Sequence, residues 1–411
     1  MEHLTAADAT ACILEKVQPL GTEIVSLQHA LGRVLADDVL ANRNQPPYDV
    51  SAMDGFALRS DDLGYVPVVL LVIEDIKAGD MPTFSLQPGQ CARIMTGAPL
   101  PHGADTVLRV EDTTPLPNNQ VQINASVSAG NDIRRMGESM QEGEAILTAG
   151  SEISAGAVGL LAMVKRRNVT VYRRPRVAIL STGDELEGLD EPLDPNKIPD
   201  ANSYALMAQL QALGIEPTLL GIARDEPHEL ARFLERGLMY DVLLVSGGTS
   251  VGVHDYVRPT IEALGVNMHF WRVAIRPGHP LAFGTTDQTV VFGLPGNPVS
   301  SMVCFEEFVL PALRKILGHP RLFRRSLYAH LAHPIKHRPG RTEFVRVRLS
   351  KDHLGNHIAH ATGTQSSGVL NSMAHADGLL IVPEQHEGLS KGEMAMVQLL
   401  DSSLYQDAQD H

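Results

Sequence analysis

The sequence predicts a multidomain α/β protein: a central parallel α/β domain, a β-rich domain inserted ahead of it and a small β-domain behind it. Three observations carry this. Between Arg176 and Ile316 short apolar strand-like runs alternate with helix-like repeats. From Asn44 to Gly143, and again after Pro320, the helical period gives way to short apolar runs separated by Gly, Pro and Asn. At 411 residues the chain also exceeds one average domain.

From Thr5 to about Ala36 the spacing of Ala9, Ile13 and Val17 predicts helix. The pattern breaks at Asn44, Pro46 and Pro47, and "VPVVLLVI", "QCARIM", "TVLRVE" and "VQINA" follow as strands. Ser154 to Val164 reads as a short helix of the same texture as the opening region. The expected division is therefore a split N-terminal domain (1–43 with 144–172), an insertion (44–143), the α/β domain (173–320) and the C-terminal domain (321–411). In the α/β domain "RVAIL", "TLLGIA", "DVLLV", "VNMHFWRVA" and "TVVFGL" are strands. A helix from Ser203 to Leu213 stops at Gly214, a second is capped by Asp225, and a third starts near Pro298 with a kink at Pro311. After Pro320, five short strands predict a barrel or a sandwich of about 80 residues.

Composition narrows the function. A formal charge of −14 argues against a general nucleic-acid binder. Cys12, Cys91 and Cys304 are far apart, which suits neither a disulfide framework nor a cysteine zinc site, and fits a reducing compartment. The N-terminus has early acids and no long apolar core, and no run approaches the roughly 18 apolar residues of a membrane span. The expected location is the cytoplasm.

In a parallel sheet, ligands gather where strands end at their carboxyl edge. Four such ends carry unusual text: "STGDE" (Ser181, Thr182, Gly183, Asp184, Glu185), Arg224-Asp225, "SGGTSVG" beginning at Ser246, and "LPGNP" (Pro295, Gly296, Asn297, Pro298). Each alone has a plain reading as a turn or a helix cap. Their coincidence on one edge predicts a binding site. Backbone N–H groups of Gly247, Gly248 and Thr249, with the hydroxyls of Ser246, Thr249 and Ser250, would form an anion cradle. Neither GxGxxG nor GxxxxGK[ST] occurs, so the guest is not a standard dinucleotide or P-loop nucleotide. Asp184, Glu185, Asp225 and Asp255 would repel phosphate unless a divalent cation or an arginine lay between, and Mg²⁺ fits. Arg276 and Arg224 supply positive charge. A second cluster in the insertion places Asp54 before a glycine and Thr96 at a strand end. His279 is either a site residue or a surface histidine.

These motifs resemble a family. "SAMDGFAL", "ARIMTGAPLP", "STGDEL", "SGGTSVG…DY", "RPGHPLAFG" and "GLPGNPVSS" occur in the order found in the molybdopterin molybdenumtransferases, which include MoeA and the E domains of gephyrin and plant Cnx proteins. "PGRTEFVRV" and "LNSMAHADGLLIVP" extend the likeness through the last domain. The resemblance implies an elongated homodimer with a molybdopterin-binding α/β domain and a barrel-like C-terminal domain. It implies insertion of molybdenum from molybdate into adenylylated molybdopterin, with Mg²⁺ and release of AMP, in a cleft shared between subunits. Carried over residue by residue, Ser246 to Ser250 and Pro295 to Pro298 contact the pterin and phosphate. Asp54, Glu185, Asp225 and Asp255 are the acidic site residues, with Asp54 and Asp255 as metal ligands. Arg276 offsets charge, Thr96 is a polar contact, and Arg341 helps admit molybdate. The neighbouring adenylyltransferase step and molybdoenzymes are the implied transient partners.

Three positions depart from the family pattern. Ser139 stands where an aspartate is usual, "RPGHP" replaces KPGKP so that Arg276 and His279 replace lysines, and Gly368 replaces an arginine. The alternative they raise is a paralogue that prefers tungstate, or that binds pterin as a scaffold without turnover.

Overall fold

The computed structural model describes residues 4–248 and 256–400. At its centre is a six-stranded sheet in the order Thr218–Ala223, Val177–Thr182, Val242–Ser246, Val290–Leu294, Ala282–Thr285, Asn267–Phe270. The first four strands are parallel. Every residue of Val177–Thr182 and Val242–Ser246 is buried, as expected of parallel strands covered on both faces. Ala282–Thr285 alone is reversed, pairing antiparallel with both its neighbours, so the sheet is parallel in its core and mixed at one edge. Ala282–Thr285 was not expected as a strand, because it opens directly out of the Gly/Pro-rich text that precedes it.

Helix boundaries follow their caps. Ala201–Gln211 starts two residues earlier than the spacing suggests, because Asp200 accepts from the Ser203 amide at 3.1 Å. Gly214, at φ +70, terminates the turn that follows. Pro227–Gly237 is capped by Glu226, not by Asp225. The long final helix keeps its course through Pro311 by opening a π turn at Phe305–Val309, between α-helical Pro298–Cys304 and Leu310–Ile316. The wide turn takes up the missing N–H of proline, so the expected kink is a π turn instead. Near the N-terminus, helix covers only Ala6–Lys16; the rest of the expected helix becomes the strand Thr22–Ser26 and a short 3₁₀ turn. Pro19 and Gly21, at φ +106, stop the helix, and β-branched Thr22, Ile24 and Val25 then pair with Asn168–Tyr172.

The inserted segment forms a second six-stranded sheet, ordered Thr106–Arg109, Gly55–Leu58, Gln90–Ile94, Val68–Ile76, Gln120–Ile123, Thr113–Leu116. Its alternation buries both faces: Phe56, Leu58, Leu70 and Cys91 on one, Ala57, Ile76, Ala92 and Ile94 on the other. Gly55 is required, because a Cβ there would collide with the Leu108 carbonyl. The segments flanking the insertion pair with each other at Val39–Leu40 and Ala145–Leu147.

The C-terminal region resolves the choice between barrel and sandwich. Thr342–Lys351 bonds to Gly378–Val382 with its first half and to His357–Ala361 with its second. The circuit continues through Ser326–Leu331 and Met394–Leu399 back to Gly378–Val382, closing a five-stranded barrel. A short strand, Ile275–Arg276, leaves the central domain and adds to this barrel beside Thr342 and Glu343. Among the described residues, no helix is long and apolar enough to cross a membrane.

Candidate active site

The strand ends do meet at one edge. Gly247 and Gly248 follow Ser246 at φ +96 and +60, which side chains rarely adopt. A Cβ on Gly247 would collide with the Thr182 carbonyl, and one on Gly248 with Val257. The turn is thus pressed against the neighbouring strand end, and the Gly247 amide donates to Leu294 O at 3.1 Å. Asn202 ties the next loop to it. Its Nδ2 donates to Ser246 Oγ and to Gly296 O, both at 2.8 Å. Thr182 Oγ1 is buried with no hydrogen-bond partner among the described residues, directly beside both glycines. Such an orphan needs a water or a ligand atom as its partner. Ser181, by contrast, faces inward: its hydroxyl donates to Asp200 Oδ1 at 2.9 Å and meets Ser203 Oγ at 2.9 Å. Ser181 therefore braces a helix start instead of offering its hydroxyl to a ligand.

The acids form a rim. Asp184 and Glu185 are exposed just beyond Gly183, and Asp184 Oδ1 accepts from the Asp225 amide at 3.3 Å. The Asp184 carbonyl accepts from Lys197 Nζ and, at 3.1 Å, from Arg224 Nη1. Arg224 thus holds the acidic turn by its backbone. Thr249, Ser250 and Asp255 lie outside the described residues.

Forty-two residues apart, Asp54 and Thr96 come together in the inserted domain. Asp54 Oδ1 accepts from both the Thr96 amide and hydroxyl at 2.7 Å. Those bonds, the amide's first, hold the Asp54 carboxyl below the ordinary aspartate value although it is exposed. Its Oδ2 has no hydrogen bond among the described residues. No hydrogen bond among them joins Asp54 or Thr96 to the strand-end loops of the same chain. Ser139 is exposed, with its amide donating to Gln45 O at 2.8 Å.

A cavity of about 620 Å³ opens at the seam between central domain and barrel. One wall is the loop from Arg276 to Pro280 with Asn297 and Ser300; the other is Arg341 with residues 364–367. Arg276 and Arg341 thus share one space with Asn297, one residue from the Gly296 carbonyl that Asn202 holds. Arg276 Nε lies 3.5 Å from Glu343 Oε1, and His337 Nδ1 donates to Glu343 Oε2 at 2.8 Å. His279 Nδ1 donates to Val273 O at 2.7 Å, so it braces its own loop at the cavity wall.

With this geometry established, comparison with known proteins gives a consistent result. Residues 4–164 match the MoeA N-terminal region (domains I and II), 178–315 a probable molybdopterin binding domain, and 328–400 the MoeA C-terminal region (domain IV). A molybdopterin molybdenumtransferase of Nostoc sp. is 39% identical over 92% of this chain and 88% of its own length. The chain belongs to the molybdopterin molybdenumtransferase family. Another member, from Haemophilus influenzae, is 32% identical over 96% of this chain and 98% of its own. The solved molybdopterin biosynthesis MoeA protein of Pyrococcus horikoshii superposes with a TM-score of 0.83 at 29% identity, covering 97% of this chain and 100% of that one.

Within this member of the family the unusual residues have definite surroundings. Beyond its chain neighbours, Gly368 has no atom of the described residues within 4 Å of where a Cβ would stand, so the position has room for a longer side chain. Asn202, Glu343 and Arg346 escaped the sequence reading. Asn202 follows an N-cap aspartate and reads as ordinary helix; Arg346 alternates with Val345 and Val347 and so reads as exposed, while Glu343 lies on the valine face but at the very start of the run. The one available signal was that "PGRTEFVRV" places three charges around a five-residue β run.

Proposed function

We infer that the protein transfers molybdenum from molybdate to adenylylated molybdopterin, yielding molybdenum cofactor and AMP. The observation that carries this reading is the shared wall between cradle and cavity. Asn297 lines the arginine-bearing cavity and adjoins Gly296, which Asn202 fastens to the Ser246 strand end. A pterin phosphate on Gly247, Gly248 and Pro295 to Pro298 would therefore lie beside an oxyanion on Arg276 and Arg341.

This chain's residues would hold, orient and screen. The Gly247 amide is spent on Leu294 O, so the Gly248 amide and the Thr182 hydroxyl would grip the phosphate, while Arg276 and Arg341 would neutralise molybdate next to the dithiolene. Among the described residues no group of three metal-binding side chains is assembled. The donor set nevertheless fits Mg²⁺, which takes few carboxylates and completes its shell with ligand phosphates and water. Asp54 Oδ2, with Glu185 or Asp225 opposite, would hold it, and bound Mg²⁺ would offset charge on the phosphoanhydride. Asp54, kept ionised by Thr96, can orient the water that cleaves that bond.

For Asp54 and Thr96 to face the strand ends, a second copy is the simplest supplier. We therefore read the active form as a homodimer with a shared cleft, working in the cytoplasm between the adenylylating step and the molybdoenzymes. The test is AMP release from adenylylated molybdopterin with molybdate and Mg²⁺. AMP and metallated cofactor are expected together; tight pterin binding without AMP above background would overturn the reading in favour of a scaffold.

A further inference from the structure

The cavity at the seam is backed by a buried charge that does not itself line it. Arg346 is 1% exposed, among the most deeply buried large side chains of the molecule. Its guanidinium donates only to neutral acceptors: Nε to Ser372 Oγ at 3.3 Å, Nη1 to Phe344 O at 3.3 Å and Nη2 to Ser366 O at 3.4 Å. No carboxylate oxygen of the described residues lies within ion-pair distance of it. A buried arginine ordinarily takes a carboxylate partner, since desolvating a lone charge costs several kcal/mol. The nearest candidate, Glu343, is already engaged by Arg276 at 3.5 Å and His337 at 2.8 Å. Glu343 draws the Arg346 charge favourably and Arg276 opposes it, while burial lowers the guanidinium to about 10. It remains charged at neutral pH.

The same side chain builds the cavity wall. Ser366, whose carbonyl it holds, lines the space, and so does Gln365, which accepts from the Arg346 amide at 2.9 Å and donates back to its carbonyl at 3.2 Å. One carboxylate, Glu343, therefore serves both Arg276 on the cavity and Arg346 a layer behind, and Arg341 adds a further guanidinium to the cavity wall. Among the described residues the surplus positive charge has no protein counter-ion there.

We propose that Arg346 is a selectivity-determining residue: a buried cation whose missing partner is the second negative charge of a tetrahedral oxyanion in the seam cavity. This rests on the reading of that cavity as the oxyanion site. It assigns the choice of a dianion over a monoanion of the same shape to a residue that the ligand never touches. A charge held a layer away in a poorly solvated wall interacts with each added ligand charge strongly enough to change affinity about tenfold.

Titration calorimetry of the full chain with molybdate and with perrhenate, a tetrahedral monoanion of similar size, tests this. The wild type should prefer molybdate by about tenfold or more, Arg346→Met should narrow that ratio about tenfold, and Arg346→Lys should retain it. Glu343→Gln, which preserves shape and the His337 bond, should widen the ratio by removing the one opposing charge, and it decides the matter if Arg346→Met does not fold. An unchanged ratio in Arg346→Met, a loss in Arg346→Lys as large as in Met, or a narrowed ratio in Glu343→Gln overturns the proposal while leaving the oxyanion site intact. Failure of the wild type to bind either anion overturns the site itself.

Discussion

At the scale of single residues, the Asp54–Thr96 pair shows how an exposed acid is kept ionised. Two bonds from one threonine favour the ionised form, so the folded value lies below the ordinary aspartate value of 3.8. The interaction is fully present above that ordinary value and is lost as pH falls through the lower folded one. Thr96→Ala removes the hydroxyl bond and keeps the amide bond. The Asp54 carboxyl titration, followed by NMR, should move up, the acid limb of the AMP-release profile should move with it, and Thr96→Ser should restore both. Asp54→Asn should cost about 100-fold in turnover if it orients water. An acid limb unmoved by Thr96→Ala would detach Asp54 from that limb. Ser139 belongs to the same scale: its exposed side chain can become Asp without disturbing the amide bond to Gln45. Ser139→Asp should raise turnover at limiting Mg²⁺, and an unchanged Mg²⁺ dependence would show that the position lacks metal influence.

At the scale of elements, the long final helix joins cradle to barrel. Its N-terminus starts at Pro298 in the site, and its π turn points Glu306 and Glu307 at other elements. Glu306 accepts from Arg324 Nε at 2.9 Å and Gln209 Nε2 at 2.8 Å, while Glu307 accepts from Gln398 of the barrel at 2.8 Å. Burial, reinforced by the neighbouring Glu306 charge, pushes Glu307 up to about 8. A raised carboxyl means that the folded state binds the extra proton. Its stabilisation is present below the ordinary value of 4.5 and disappears as pH rises through about 8. Glu307→Gln keeps the Gln398 bond and removes the titration. Its melting temperature should exceed that of the wild type by a few degrees at pH 8 and converge with it at pH 5; parallel curves would show that Glu307 is already ionised. The π turn was foreshadowed only by Pro311. The strand-end loops were legible because glycine, proline and hydroxyl residues interrupt fully apolar strands there. Arg346 was not: in "VRVR" it alternates like a surface residue, since Val345 and Val347 fill the barrel core, and only the segment carrying Ser366 and Ser372 covers it from outside. Ser181 misled for the opposite reason, since a hydroxyl at a strand end looks the same whether it faces a ligand or Asp200.

At the scale of the whole molecule, the seam and the inserted sheet pose different questions. The seam is built within one chain, because Ile275–Arg276 pairs with the barrel strand at Thr342 and Glu343 and carries Arg276 to the cavity. The Asp54–Thr96 pair is not joined by any hydrogen bond among the described residues to the strand ends that it would serve. If it serves those of a second copy, a defect in the inserted sheet and a defect in the cradle can complement each other. Asp54→Asn spares the cradle; Gly247→Ala damages it, since the added Cβ meets the Thr182 carbonyl. In a two-fold dimer containing one of each chain, one cleft combines both defects and the other combines neither. Random re-association makes half the dimers mixed, each with one intact cleft, so the mixture should recover about a quarter of wild-type AMP release. A mixture no more active than its parents, with mixed dimers confirmed by differential tagging, would place the Asp54–Thr96 pair with the cradle of its own chain.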